Sequence, residues 1–140
     1  NDENAMKARQ IGERMNDATL RRLSRFDATY LGPHATSLYH ELVRTAAAGL
    51  PLSTIILAAS IVDVVQHEQA GPGGYLDGAD FSNAGSLANL GWLRGRRNHL
   101  VHHAGPSDGL MGEVNAGLWL AGDSERAVIT LLDFLDDLRL

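Results

Sequence analysis

Leu93-Arg94-Gly95-Arg96-Arg97-Asn98-His99-Leu100-Val101-His102-His103 reads as the C-terminal half of a helix that starts near Ser86. Each residue of an α-helix advances by ~100°. On that wheel Leu87, Leu90, Leu93, Leu100, Val101 and Ala104 share one arc, and Arg97 falls in its middle. A guanidinium is seldom buried without a partner, because losing its water is costly. Arg97 is therefore expected to meet a carboxylate, a second subunit or a ligand anion. Asn98 and His102 lie on the flank of the arc, four residues apart and so neighbours on the helix. His99 and His103 point to the other side.

The chain around this helix is expected to be helical as well. Residues 5–31 carry Ile11, Met15, Ala18, Leu23, Phe26 and Tyr30 at helical spacing. The arginines of this segment lie mostly off that stripe. They form either a solvated basic face or a surface that contacts phosphates. Gly32-Pro33 ends the segment and starts a second helix to about Ala48, burying Leu38, Leu42, Val43 and Ala46. Gly49 and Pro51 end that one. A third helix, from Leu52 to about Gln69, is apolar on most sides, which places it centrally. Its narrow polar stripe is Ser53, Ser60, Asp63 and His67. Either the stripe meets solvent, or Asp63 pairs with Arg97 and fixes its orientation.

Residues 70–85 read as a loop, broken by Gly71-Pro72-Gly73-Gly74 and Gly78. No strand precedes these glycines and their spacing is not that of a phosphate-binding loop. Ser82, Asn83 and Ser86 are candidate caps for the helix that follows. Residues 105–122 read as a second irregular stretch, in which Val114 to Leu120 form a short strand or one helical turn. Asp123 or Ser124 then caps a last helix to Leu140. Its buried face is Val128, Leu131, Leu132, Leu135 and Leu138, with Asp133, Asp136 and Asp137 outward. The expected fold is all-α: one domain over residues 1–140, an antiparallel bundle of about five helices.

Composition narrows the function. The 140 residues carry a formal charge of −5, which argues against bulk affinity for nucleic acid but not against a local basic site. The charge is uneven. Residues 1–49 hold Lys7, Arg9, Arg14, Arg21, Arg22, Arg25 and Arg44 against six acids, whereas residues 105–140 hold Arg126 and Arg139 against seven. There is no cysteine, so disulfides and thiolate chemistry are excluded. No secretory signal pattern stands at the N-terminus, and the apolar run Leu50 to Val65 is too short and too polar to span a bilayer. A cytoplasmic protein without membrane contact is expected.

Arg97-Asn98-His99-Leu100-Val101-His102 has the form Arg-Asn-x-x-x-His. It resembles the signature of HEPN-domain ribonucleases, in which an arginine, a polar residue directly after it and a histidine stand near the end of a helix in a small bundle. Arg97, Asn98 and His102 match residue by residue; the rest of the chain is similar in architecture alone. The resemblance implies a homodimer that cuts RNA without a metal at a composite site, and a role as a toxin or defence factor with a possible antitoxin partner.

The residue types suit that chemistry. Activating the ribose 2′-hydroxyl needs a group that moves protons near neutral pH, which histidine does. The phosphorane needs fixed positive charge, which arginine supplies. Five residues apart on one helix, Arg97 and His102 diverge by roughly 140° and rise by ~7.5 Å. Two copies of the helix across a two-fold axis close that gap. Asn98 then orients His102 or binds phosphate, Asp63 supports Arg97, and Arg94 and Arg96 are candidate RNA contacts. The competing assignment makes Arg97 and His102 structural, since cations suit a helix C-terminus for dipole reasons alone. A non-catalytic binding or assembly module follows from that. A metal site on His99 and His103, with His34, His40, His67 or Glu68, is less favoured, because no carboxylate stands in the metalloprotease position. No cofactor is expected.

Overall fold

The computed structural model describes residues 15–69, 84–102 and 116–138. Its elements are α1 (Asp17–Arg25), a 3-10 turn (Ala28–Tyr30), α2 (Pro33–Ala47), α3 (Pro51–Gln69), α4 (Leu87–Val101) and α5 (Ala116–Asp137). Among the described residues there is no strand, and the fold is an all-α bundle of five helices. The glycine-rich segment at 70–83, the segment at 103–115 and residues 5–14 of the first expected helix lie outside the described residues.

α3 is the central helix, packed against α2, α4 and α5. Ile55, Ala58, Ala59, Ile61, Val62 and Val65 are all buried, as its near-continuous apolar sequence requires. α2 and α3 are joined by a Schellman turn. Gly49 sits at φ +72°, its N–H donates to Ala46 O (3.2 Å), and the Leu50 N–H donates to Thr45 O (3.0 Å). The other end of α2 lacks a side-chain cap of its own, because Gly32 occupies the N-cap and Pro33 the first turn. Glu68 of α3 supplies the cap instead, its Oε1 accepting from the Ala35 N–H at 3.0 Å.

The first helix is shorter than its periodicity suggests. Asn16 caps it, accepting from the Ala18 N–H at 2.8 Å, and it stops at Arg25 instead of running to residue 31. In a continuing helix the Leu23 carbonyl accepts from the Asp27 N–H. Here it accepts from the buried Tyr39 hydroxyl at 2.6 Å, and the Asp27 carboxylate turns forward to cap the Thr29 N–H at 3.0 Å. Tyr30, expected in the buried stripe, is 58% exposed as a result. Ala18 is also exposed, while Leu23 is fully buried.

The last helix is longer than expected. It begins at Ala116, so Asp123 and Ser124 are interior residues and not its caps. Gly117 and Gly122 each disfavour helix by about 1 kcal/mol against Ala. Burial of Leu120, Ala121, Ser124, Ala127 and Val128 against the bundle offsets that penalty. Leu131, Leu132, Leu135 and Leu138 are buried as expected. The three aspartates are exposed yet engaged: Asp133 and Asp136 bind Arg22 of α1 at 2.8 and 2.7 Å, and Asp137 accepts from the Gly85 N–H at 2.8 Å. No helix among the described residues is long and apolar enough to cross a membrane.

Candidate functional site

α4 starts where the sequence places it. Ser86 is its N-cap, with the hydroxyl accepting from the Asn89 N–H at 3.3 Å. Its buried residues are Leu93 and Arg96, with Leu90, Trp92 and Leu100 half-buried. The expected apolar arc is therefore covered only in part. Leu87 is 91% exposed and Val101 47% exposed. Arg97 stands at the edge of the covered face, with 24% of its side chain exposed.

Asp63 of α3 meets Arg97. Arg97 Nη1 donates to Asp63 Oδ2 at 2.7 Å, and Arg97 Nη2 donates to Asn98 Oδ1 at 3.2 Å. Arg94 is the second cation on the same carboxylate, with Nη2 at 3.7 Å from Oδ1, an ion pair too long for a hydrogen bond. Its side chain is 60% exposed. One carboxylate thus faces two guanidiniums. Asp63 also holds the next turn of α3 through its carbonyl, 2.6 Å from His67 Nδ1. A carbonyl only accepts, so Nδ1 carries the proton.

Asp63, Arg94 and Arg97 open onto a cavity of about 180 Å³ between α3 and α4, walled by Ala59, Val62, Leu90 and Leu93. That is below the ~300–1,000 Å³ of clefts that enclose a small-molecule ligand. A guanidinium has five N–H donors, and the two named bonds leave others for an anion. Gly91 lines the cavity, and a Cβ added at Gly91 or Gly95 meets no atom within 4 Å. This face of α4 is open.

His102 does not continue the helix. It is the C-cap, with extended backbone angles (φ −121°, ψ 123°), and its N–H donates to Asn98 O at 2.9 Å. The 140° divergence from Arg97, drawn on a continuous helix, therefore does not fix its ring direction. The side chains of Asn98, His99 and His102 are all exposed. His103 lies outside the described residues.

Arg96 departs from the expected RNA contact. Its side chain is 9% exposed, and its Nε donates to Asp123 Oδ2 of α5 at 2.7 Å. One turn along α5, the Arg126 guanidinium stacks 4.0 Å from the centre of the Trp92 ring. Packing between α4 and α5 consumes Arg96, because the wheel turns it away from Asp63. Asp123 is the residue that sequence reasoning missed. The available signal was a carboxylate five residues before Val128, where the apolar stripe of α5 begins, and Gly117 and Gly122 disguised the helix there.

His34, His40 and His67 are exposed on separate helix faces, and Glu68 caps α2. Among the described residues no three histidine, aspartate or glutamate side chains converge as a metal would require. The arrangement around Arg97 can bind an anion, with the Asn98 amide bonded to Arg97 and His102 exposed at the end of the same helix. Comparison of the chain with protein families, with curated proteins and with solved structures returns no match.

Proposed function

We propose that the chain is a metal-independent endoribonuclease of HEPN type that works as a homodimer. The observation that carries this reading is the state of the motif: Arg97 is anchored by Asp63 and still solvent-reachable, while Asn98 and His102 are exposed at the same helix end. A motif sealed in the core favours a scaffold instead. Leu87 and Val101, the uncovered members of the α4 arc, support an interface along this helix. In the proposed reaction the 2′-hydroxyl proton passes to His102 and O2′ attacks phosphorus. The bond to O5′ then breaks, the leaving oxygen takes up a proton, and a 2′,3′-cyclic phosphate remains. Arg97 neutralises the charge that builds on the phosphorane, with Arg94 beside it on the RNA backbone. A toxin or defence role in the cytoplasm, held in check by an antitoxin protein, belongs to the same proposal.

The test is RNA cleavage by the folded wild type and by His102→Ala, with and without chelator. Cleavage should survive the chelator and stop when the cut position carries deoxyribose. It should fall ~100–10,000-fold in the variant, the usual contribution of a positioned proton-transfer group. His99→Ala should leave it largely intact. Activity that dies with chelator, or that follows His99 instead of His102, overturns the mechanism. The Arg97–Asp63 pair also favours a second reading, a non-catalytic module in which that pair pins α4 to α3. An inert wild type across several RNAs selects it.

A further inference from the structure

A second site lies on elements that the Arg97 cluster does not use. α1, the 3-10 turn and α5 frame an open groove of about 540 Å³. That is within the size range of ligand clefts, ~300–1,000 Å³. Phe26, Leu132 and Leu135 give it apolar lining, and Arg21, Arg25 and Tyr30 give it cations and an aromatic ring. Tyr30 is 58% exposed there, although it is one of the largest side chains of the segment.

The charges of the groove are not balanced. Arg22 is held by Asp133 and Asp136, and Asp27 is engaged in capping Thr29. Arg21 and Arg25 have no carboxylate partner among the described residues. They stand four residues apart on α1, so their side chains are neighbours. Like charges at that spacing destabilise a helix by a few tenths of a kcal/mol. An anion between them reverses the sign of that interaction. Two adjacent guanidiniums without a carboxylate partner among the described residues, together with an exposed tyrosine ring, match what a nucleotide offers, a phosphate and a flat base. The lining is confined to residues 18–30 and 132–136, which suits a compact ligand better than an extended peptide.

We propose that this groove binds a nucleotide unit, with its phosphate on Arg21 and Arg25 and its base stacked on Tyr30. The proposal is independent of RNA cleavage. The ligand chemistry is the same for a free mononucleotide and for one residue of a single-stranded chain.

Titration calorimetry separates these cases. The probes are AMP, adenosine, inorganic phosphate and a short oligoadenylate with 2′-O-methyl sugars, which cannot be cut through the 2′-hydroxyl. AMP should bind more tightly than adenosine or phosphate alone. Arg21→Ala and Arg25→Ala should each weaken AMP about tenfold, the loss of one charged hydrogen bond. Tyr30→Ala should weaken it by a similar factor through lost stacking, and Tyr30→Phe should restore it. All three side chains are exposed, so the variants should keep the helical circular dichroism of the wild type; Arg21→Lys is a further check that keeps the charge. Binding of both AMP and the oligonucleotide supports a free-nucleotide site, and binding of the oligonucleotide alone supports a strand site when Arg21→Ala and Arg25→Ala weaken it. Arg97→Ala should bind AMP as the wild type does, which keeps this proposal separable from the nuclease. The proposal is overturned if neither probe binds, if the three variants bind unchanged, if Arg97→Ala loses AMP, or if a short acidic peptide displaces AMP at equal concentration.

Discussion

Arg96 and Arg97 are adjacent in sequence and belong to different regions of the molecule. Arg96 joins α4 to α5 through Asp123, with 9% of its side chain exposed. Arg97 joins α4 to α3 through Asp63, with 24% and 32% of the two side chains exposed, beside an open cavity. Both bonds are 2.7 Å long. Distance therefore does not distinguish them; access does. An ion pair whose guanidinium is buried is costly to leave half-made. A partly wet pair is worth ~0–1 kcal/mol and can exchange its carboxylate for a phosphate. One step of ~100° around the helix separates the two outcomes.

The sharpest way to break this comparison is to remove each arginine and measure two things. Arg97→Ala should lower RNA cleavage by ~100–1,000-fold, the usual range for one charge-stabilising donor. Its unfolding free energy should fall by less than ~1 kcal/mol, because solvent already screens the pair. Arg96→Ala should do the reverse, losing stability while the folded fraction keeps its turnover. If both variants lose activity and stability in the same proportion, the two regions are not functionally distinct.

The buried side of the comparison predicts the next largest effect. Arg96→Ala removes a buried guanidinium and leaves the half-buried Asp123 without its partner, and should cost about 3 kcal/mol in urea unfolding. That is the low end for such pairs, since 26% of the Asp123 side chain stays exposed. Replacing both residues with apolar ones of similar size should recover most of the loss, because the desolvation penalty goes with the charges. A double variant no more stable than Arg96→Ala shows that the site needs the charge itself.

The two arginines also differ in how far the sequence reveals them. Arg97–Asp63 is legible because two helical patterns intersect: a charge in an apolar arc and a narrow polar stripe on a nearly apolar helix. Arg96–Asp123 is not, because Gly117 and Gly122 make the start of α5 look like a loop and turn Asp123 into a cap. The five-helix all-α fold follows from the apolar stripes alone, and the stripes of α3 and α5 lie in the core as read. The break after Arg25 does not follow from them. It depends on the Tyr39 hydroxyl taking the Leu23 carbonyl across 16 positions, which no local pattern announces. The exposed Leu87 shows the opposite limit. Periodicity identifies an apolar face without saying whether this chain or a second one covers it.

Asp63 gives a smaller effect that sharpens the functional side. Asp63→Ala frees Arg97 and Arg94 from their shared carboxylate. Stability should drop by about 1 kcal/mol, within the range for a partly exposed pair. Cleavage should fall roughly tenfold through lost orientation of Arg97, well short of the Arg97→Ala loss. Asp63→Asn keeps an acceptor and should recover part of both. An unfolding free energy unchanged from wild type removes Asp63 from any anchoring role.

The smallest effect tests whether a buried neutral bond behaves like either ion pair. Tyr39 is 2% exposed, donates to Leu23 O and packs its ring 5.2 Å from that of Phe26. Burial pushes its phenol well above the usual value of ~10, Asp136 adds to the rise, and Arg22 opposes it. The fold therefore favours the neutral form. Its contribution is fully present below the unfolded pKa of ~10 and is lost as pH rises beyond it, because the unfolded chain releases the proton first. Tyr39→Phe keeps the ring and leaves the Leu23 carbonyl without its donor, at about 1 kcal/mol near neutral pH. The variant should also lose the part of the alkaline destabilisation that Tyr39 causes, so the two stability curves should converge above pH ~10. Measured by urea unfolding across pH, curves that stay parallel show that Tyr39 does not set the alkaline limit. Curves that coincide near neutral pH show that the bond to Leu23 O adds nothing, and the break between α1 and the 3-10 turn then needs another cause.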